Sequence, residues 1–452
     1  MIVSKRNVGF FLLFLLNYVC LTILIFEDLL AFEFRALSLP IISITLLLSA
    51  LTVYLTTSDY TDYRLLFLGS FSLFIFGKFF AILFGVDGLS YNSFYYLKEF
   101  SNYEINKHAI LSCVFLLSFF SGTLVYGNAS KIKTRVYNFP VITKFLPLFS
   151  LLLIFPFLTS VVKVFIESGY LALYIYANNS EFKSIYSLGI TLTLISAFLN
   201  CCKYKFNAGL LPIIIIGINA IVMLLLGQRS SFFSLVLFMI WYFSQNGKKL
   251  RISTISILLM LLVLFSQFVL MSRGQGGGGE LSIFDLVGSF FDQQGVTFTF
   301  FSMSDLVESW PILPMIQNFI PGSSFLYGLF DSSLQATDKV YSQFYSNFLN
   351  SGLYQQGYGV GWSVLLDVKI ISLGNPILFS MVSFLFGLLI SYVFSNSVNS
   401  NFHSGLALVI VYKLFLLPRG GLNSLFPLLV YCLFVFFILQ VVLYIANKKN
   451  HY

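Results

Sequence analysis

The chain alternates long apolar runs with short polar connections. Runs of spanning length cover residues 8–26, 36–55, 64–84, 109–126, 145–165, 185–202, 208–226, 230–245, 252–271, 375–394, 403–418 and 422–446. A helix needs about 20 predominantly apolar residues to cross a bilayer, so the pattern predicts twelve spans with both termini on one side. The first run is too long for the apolar core of a signal peptide, and no A-x-A site follows it. It is read as a permanent helix. One connection breaks the rhythm. Residues 272–374 number 103 and contain helix-like stretches at Ile283–Phe301 and Lys339–Phe348. A structureless loop of that length is uncommon. The expected organisation is helices 1–9 over residues 1–271, a folded cap over 272–374, and helices 10–12 with a short tail over 375–452. The run Gly276–Gly279 reads as a flexible joint at the start of the cap. No internal repeat of the kind that builds two-halved transporters is evident.

Composition removes most other classes. Apolar residues make up 58% of the chain and charged residues 10%, against about 25% charged in soluble domains. So few charges cannot cover a soluble surface. The five cysteines fall in or at the ends of apolar runs and form no CxxC pair, and there are three histidines. A disulfide framework, a zinc site and a redox site therefore have no support. No GxxxxGK[ST] loop or dinucleotide fingerprint is present.

The net charge of +8 is a topology signal. With twelve spans, 14 of the 26 basic residues lie on the side of the termini, in short loops and tails, with only Asp59 and Asp62 as acids. That is the positive-inside pattern, which places both termini in the cytoplasm and the cap outside. In the cap, eight acids face three bases, and 18 aromatics are available for a core. No basic and aromatic interleaving points to nucleic acid.

Three arginines stand at outer helix ends, each beside Gly or Ser: Arg229 in Gly227-Gln228-Arg229-Ser230, Arg273 in Ser272-Arg273-Gly274 and Arg419 in Pro418-Arg419-Gly420-Gly421. Guanidinium forks suit phosphate oxygens, and small neighbours let a ligand approach the backbone. An isolated interfacial arginine can equally be an anchor that snorkels to water. Three at tight turns on the base-poor side point to an anionic substrate. Lys78, Lys163 and Lys413 lie within apolar runs, where charge is costly and marks function by default. Lys413 is the strongest of these and Lys163 sits near a helix end. Asp367, Asp292 and Glu280 are the acids best placed to act as general base, with a solvated loop acid as the plain alternative for each. Asp367 follows the turn Gly357-Tyr358-Gly359-Val360-Gly361-Trp362 and has Lys369 as a possible surface partner. Trp310, Tyr358 and Trp362 are candidates to stack on sugar rings, although most cap aromatics must form its core.

These residues resemble those of the bacterial O-antigen polymerases of the Wzy type. The resemblance rests on GQRSSFF at 227–233, GYGVGWSVLLDVKIISLGNP at 357–376, LPRGGLNSLF at 417–426, and the layout of about a dozen helices with one large late loop. It covers mainly residues 205–446, and the first 200 residues match in hydropathy only. The arginine–glycine loop pairing of some members is absent at Arg229 and Arg273.

The resemblance implies an all-α polytopic membrane glycosyltransferase of the GT-C kind. Such an enzyme joins undecaprenyl-diphosphate-linked oligosaccharide repeat units at the periplasmic face of the inner membrane, without cofactor or metal. A flippase and a chain-length regulator of the same pathway would be its partners. An O-antigen ligase is one alternative, but residues 272–374 lack the loop histidine typical of that family. A lipid-linked oligosaccharide flippase is another, but flippases need charges along a central cavity and no cap. A non-catalytic assembly subunit is a third.

Overall fold

A computed structural model describes residues 5–89, 91–92, 96, 98–126, 136–247, 251, 253–255, 257, 260, 283–323, 327–328 and 335–449. Most of the ninth expected span, together with Gly276–Gly279, Arg273 and Glu280, lies outside them.

The described chain is almost entirely helical. In order it forms α1 (Lys5–Ile25), α2 (Phe34–Thr57), α3 (Tyr63–Phe74), α4 (Gly77–Leu83), the two-residue antiparallel strands β1 (Tyr91–Asn92) and β2 (Lys98–Glu99), α5 (Asn102–Thr123), α6 (Pro140–Asn179), α7 (Phe182–Tyr204), α8 (Leu210–Leu225) and α9 (Arg229–Gln245). The cap follows as α10 (Ile283–Gln294), α11 (Val296–Ser302), α12 (Ile312–Phe319), α13 (Ala336–Lys339), α14 (Tyr341–Leu349), α15 (Ser351–Gln355) and α16 (Val364–Ile371). The chain closes with α17 (Pro376–Ser397), α18 (Asn401–Leu414) and α19 (Phe426–Lys449). Eight of the described helices are long and apolar enough to cross a membrane. The protein is an all-α polytopic membrane protein.

Two expected spans differ in form. The run 64–84 is not one helix. α3 and α4 meet at a 68° bend. The run 145–165 is the middle of α6, whose 40 residues reach about 60 Å at 1.5 Å per residue. That exceeds the bilayer, so the helix continues beyond its apolar part, Pro140–Glu167. The helix-like stretch 283–301 is two helices divided at Gly295.

α5 is the central pillar. Ser101 and Glu104 start it with a reciprocal capping box. Within the bundle it carries Asn106, His108, Ser112 and Ser118, polar groups that are costly in lipid; Ser112 donates to the His108 carbonyl of its own helix and His108 Nδ1 meets the Glu104 carbonyl, while neighbouring helices meet Asn106 and Ser118. Asn106 accepts from Ser38 at 2.5 Å and donates to the Leu30 and Phe32 carbonyls, which closes the α1–α2 turn. Ser118 meets Ser380 of α17 at 2.8 Å, and Asn17 of α1 joins the same hydroxyl at 3.0 Å. The outer helices α1, α6 and α19 leave wide apolar faces exposed, including Phe11, Leu152 and Phe434. Those faces fit acyl chains.

Candidate active site

The site begins with the bend between α3 and α4. α4 opens on Gly77-Lys78, and the end of α10 lies directly on it. A side chain at Gly77 would stand 2.6 Å from the Phe291 carbonyl oxygen. Only glycine permits that contact. Beside it, the Lys78 ammonium donates to Asp292 at 2.7 Å and to the Gly88 carbonyl at 2.8 Å. Lys78 and Asp292 are thus an ion pair that anchors the cap helix to the membrane bundle.

The two residues after Asp292 face the arginines. Arg229 opens α9 and donates to the Gln293 amide oxygen at 3.0 Å. Arg419 ends the single-turn helix Leu417–Arg419 and donates to the Gln294 oxygen at 3.3 Å. Gln293 is itself oriented by donation to Ser289 at 3.1 Å. The Arg419 turn is tied to the bundle at the Phe415 carbonyl, which accepts from Ser70 at 2.5 Å and Ser234 at 3.1 Å. Gly361 of the glycine-rich segment passes beside the Arg419 Nε and the hydroxyl of Thr297. That hydroxyl is buried and has no hydrogen-bond partner among the described residues.

Asp367 is only 1% exposed. Ser363 caps the start of α16 and sets the helix that carries it. One carboxylate oxygen accepts from Trp362 Nε1 at 3.1 Å and Asn318 Nδ2 at 3.2 Å, and the other accepts from the Leu422 amide at 2.6 Å. Burial pushes the Asp367 carboxyl up to about 6, and these three donors act in the opposite direction. Gly421 leaves room for it, since a side chain there would stand 2.8 Å from the carboxylate. Asp367 therefore links two cap segments to the turn that presents Arg419.

The expected surface pair between Asp367 and Lys369 does not form. Lys369 reaches Ser304 at 2.6 Å and pairs with Asp305. Lys107 joins Asp305 at 2.8 Å, with His108 3.6 Å away. Burial would raise the Asp305 carboxyl, but His108, Lys369 and Lys107 together hold it well below the usual carboxylate range. This cluster fastens the cap to α5.

The aromatic candidates separate. Trp362 stacks on Tyr341 at 5.6 Å, and Trp310 meets both rings at 5.8 Å. Both tryptophans belong to the aromatic core of the cap, whereas Tyr358 is 40% exposed. Lys413 lies over the Tyr412 ring at 5.2 Å and makes no ion pair among the described residues. Gln293, Gln294, Asn318 and Asp305 were not singled out from the sequence. The consecutive Asp292-Gln293-Gln294 at the end of an amphipathic stretch was the available signal.

A membrane-embedded helical bundle with two arginines and a buried carboxylate at its capped end defines a polytopic membrane protein. The family model described as O-antigen polysaccharide polymerase Wzy matches residues 8–450. The chain belongs to that family, and the membership carries a polymerase role in lipopolysaccharide biosynthesis. Comparison with curated proteins and with solved structures finds no match.

Proposed function

We propose that the chain joins undecaprenyl-diphosphate-linked oligosaccharide repeat units at the periplasmic face of the inner membrane, with both termini cytoplasmic. The growing chain passes from its lipid carrier to the non-reducing end of a new lipid-linked unit. A bond forms between the acceptor hydroxyl oxygen and the donor anomeric carbon. The bond from that carbon to the diphosphate oxygen breaks, the hydroxyl proton goes to a base, and undecaprenyl diphosphate leaves.

The observation that carries this reading is that Arg229 and Arg419, from turns far apart in sequence, reach the same helix end, where they donate to the consecutive residues Gln293 and Gln294. Such donors stabilise the charge that develops on a diphosphate leaving group. Arg273, outside the described residues, is the third candidate for diphosphate, and Lys413 the fourth. Asp367 is the first-choice base, because burial places its proton affinity near the working range. To act, it exchanges the long Asn318 bond for the acceptor hydroxyl. Asp292 already serves Lys78, and Glu280 lies outside the described residues. Tyr358 offers the exposed ring for a sugar, whereas Trp310 and Trp362 pack with Tyr341 and Tyr345 inside the cap. The reaction needs no cofactor or metal. A chain-length regulator and a flippase of the pathway are the expected partners.

A deletion strain tests the proposal by lipopolysaccharide gel. Loss of a polymerase leaves core plus one repeat unit. Core alone would instead assign the chain to ligation or flipping.

A further inference from the structure

One cap helix turns an apolar face away from the protein. In α12, Ile312, Ile316, Phe319 and Ile320 follow the i, i+4, i+7, i+8 spacing of a single helix face. They are 70, 40, 41 and 58% exposed. The opposite face, with Pro314 and Asn318, is buried, and Asn318 donates to Asp367 at 3.2 Å. We propose that α12 is an interfacial helix. Its apolar face lies among the acyl chains of the leaflet at the capped end, and this seating sets the position of Asn318 and, through it, of Asp367. The leaflet contact stands on the helix alone, whereas its consequence for Asp367 rests on the polymerase reading above.

The place of the face in the fold decides what covers it. α12 packs on the turn Leu422–Ser424 and on the start of α19. Phe319 meets Phe426, the first residue of α19, with ring centroids 5.1 Å apart. Phe426 belongs to the apolar span Leu422–Ile445, most of which is not buried. Further along that span Val430, Tyr431 and Phe434 are exposed. The face of α12 is therefore continuous with the surface that a membrane span shows to lipid.

Its chemistry agrees. No charged residue occurs between Glu308 and Asp331, although the cap as a whole is acidic. Apolar surface left in water costs about 25 cal/mol per Å², and a contiguous exposed apolar face marks a membrane or protein contact. The eight residues of α12 reach about 12 Å. That is too short to cross a bilayer. It suits the boundary of headgroups and acyl chains, where apolar helix faces settle about 5–10 Å deep.

The buried face gives the contact a task. Asp367 also accepts from the Leu422 amide at 2.6 Å. Two of its three donors thus come from the segments that join at Phe319 and Phe426. Asn318 is then a positioning residue. It holds the carboxylate at a fixed height above the leaflet from which a lipid-linked substrate presents its headgroup.

The test uses the full chain in nanodiscs of phosphatidylethanolamine and phosphatidylglycerol, doped with lipids that carry a nitroxide either near the headgroup or near the acyl chain end. The native cysteines are buried, so a bimane fluorophore on Ile312→Cys or Ile316→Cys reports one place. The shallow nitroxide quenches both severalfold more than it quenches bimane on Gln355→Cys, at the exposed end of α15, and the deep nitroxide quenches them less. Equal quenching at all three positions would leave the face in water, and stronger quenching by the deep nitroxide would put it in the bilayer core. Either result overturns the interfacial helix. Ile316→Glu sets a charge on the face. It removes the excess quenching at Ile312→Cys and lowers kcat by about ten- to a hundredfold, as a small misplacement of a reacting group does. Ile316→Leu, which keeps the face apolar, restores both. Unchanged melting temperatures exclude misfolding. A normal kcat with the quenching lost would overturn the link to Asp367. A raised KM with kcat unchanged would assign the face to the substrate's own isoprenoid chain and overturn the leaflet contact. Quenching is read without substrate, so a chain that fails to polymerise sinks the polymerase reading while the quenching alone decides the leaflet contact.

Discussion

Arg64 and Arg419 sit at opposite ends of the bundle and are held in opposite ways. At the end that carries Lys5 and Arg6, Arg64 grips Asp62 with both prongs, at 2.9 and 3.0 Å. The charge of each is spent on the other. At the cap end an arginine and an aspartate also lie within one turn of chain contact, yet they do not pair. Arg419 leans on the Gln294 amide, and Asp367 takes its three hydrogen bonds from Trp362, Asn318 and a backbone amide. Neutral partners fix both groups in place and leave both charges available. A cavity of about 660 Å³ opens at the Arg64 end among Lys5, Arg6, Asp59, Asp62 and Trp241. The distinguishing feature is charge that is oriented but not neutralised.

The largest expected effect separates Asp367 from Asp62. Asp367→Asn keeps the shape but removes the base, and the polymerisation rate falls by about 10²–10⁴-fold. The unaltered enzyme gains rate as pH rises through about 6, where Asp367 ionises. Stability runs the other way. The folded state holds this proton more tightly than the unfolded chain does. Its stabilisation is complete below the ordinary carboxylate value of 3.8 and is lost as pH rises toward 6, by about 3 kcal/mol. Thermal unfolding of Asp367→Asn should lack this slope. A retained rate step at pH 6 in that variant would assign the base elsewhere.

A smaller effect comes from making the cap end resemble the other end. Gln294→Glu sets a carboxylate against Arg419. Substrate affinity should drop about tenfold, with thermal stability unchanged or slightly raised, as titration of rate against lipid-linked substrate would show. A drop in stability with unchanged affinity would mean that the glutamine is merely structural.

The smallest effect concerns which end faces out. All five native cysteines are buried, so the background for thiol labelling is low. Gln355→Cys, on the exposed end of α15, should react with an impermeant reagent in intact cells opened only at the outer membrane, with no change in polymer. Labelling only after lysis of the inner membrane would reverse the topology.

Much of this contrast was legible in the sequence, and the rest has identifiable reasons for being hidden. Hydropathy and the segments around Arg229, Asp367 and Arg419 give the membrane class and the family, because both are written in local runs. The bend at Gly77 is not local. It depends on α10 arriving from the far side of the chain, and residues 64–84 read as one apolar stretch without it. The choice of Lys369 for Asp305 over Asp367 is also tertiary, since residues two apart on a helix point in different directions. Gln293 and Gln294 were overlooked because neutral amides carry no signal in a search for charge. Trp310 and Trp362 look like sugar platforms in sequence, and only the Tyr341 stack shows them closing a core.

The central claim is that unneutralised charge at the cap end performs the polymerisation. Initial rates with a purified lipid-linked repeat unit, measured in nanodiscs for Arg419→Gln and Arg64→Gln side by side, test it most directly. Removing an electrostatic donor to a developing charge costs about 10²–10³-fold, so Arg419→Gln should fall by that factor. Arg64→Gln should keep most of its rate and lose stability instead. Equal losses in the two variants, or a normal rate in Arg419→Gln, would contradict the account.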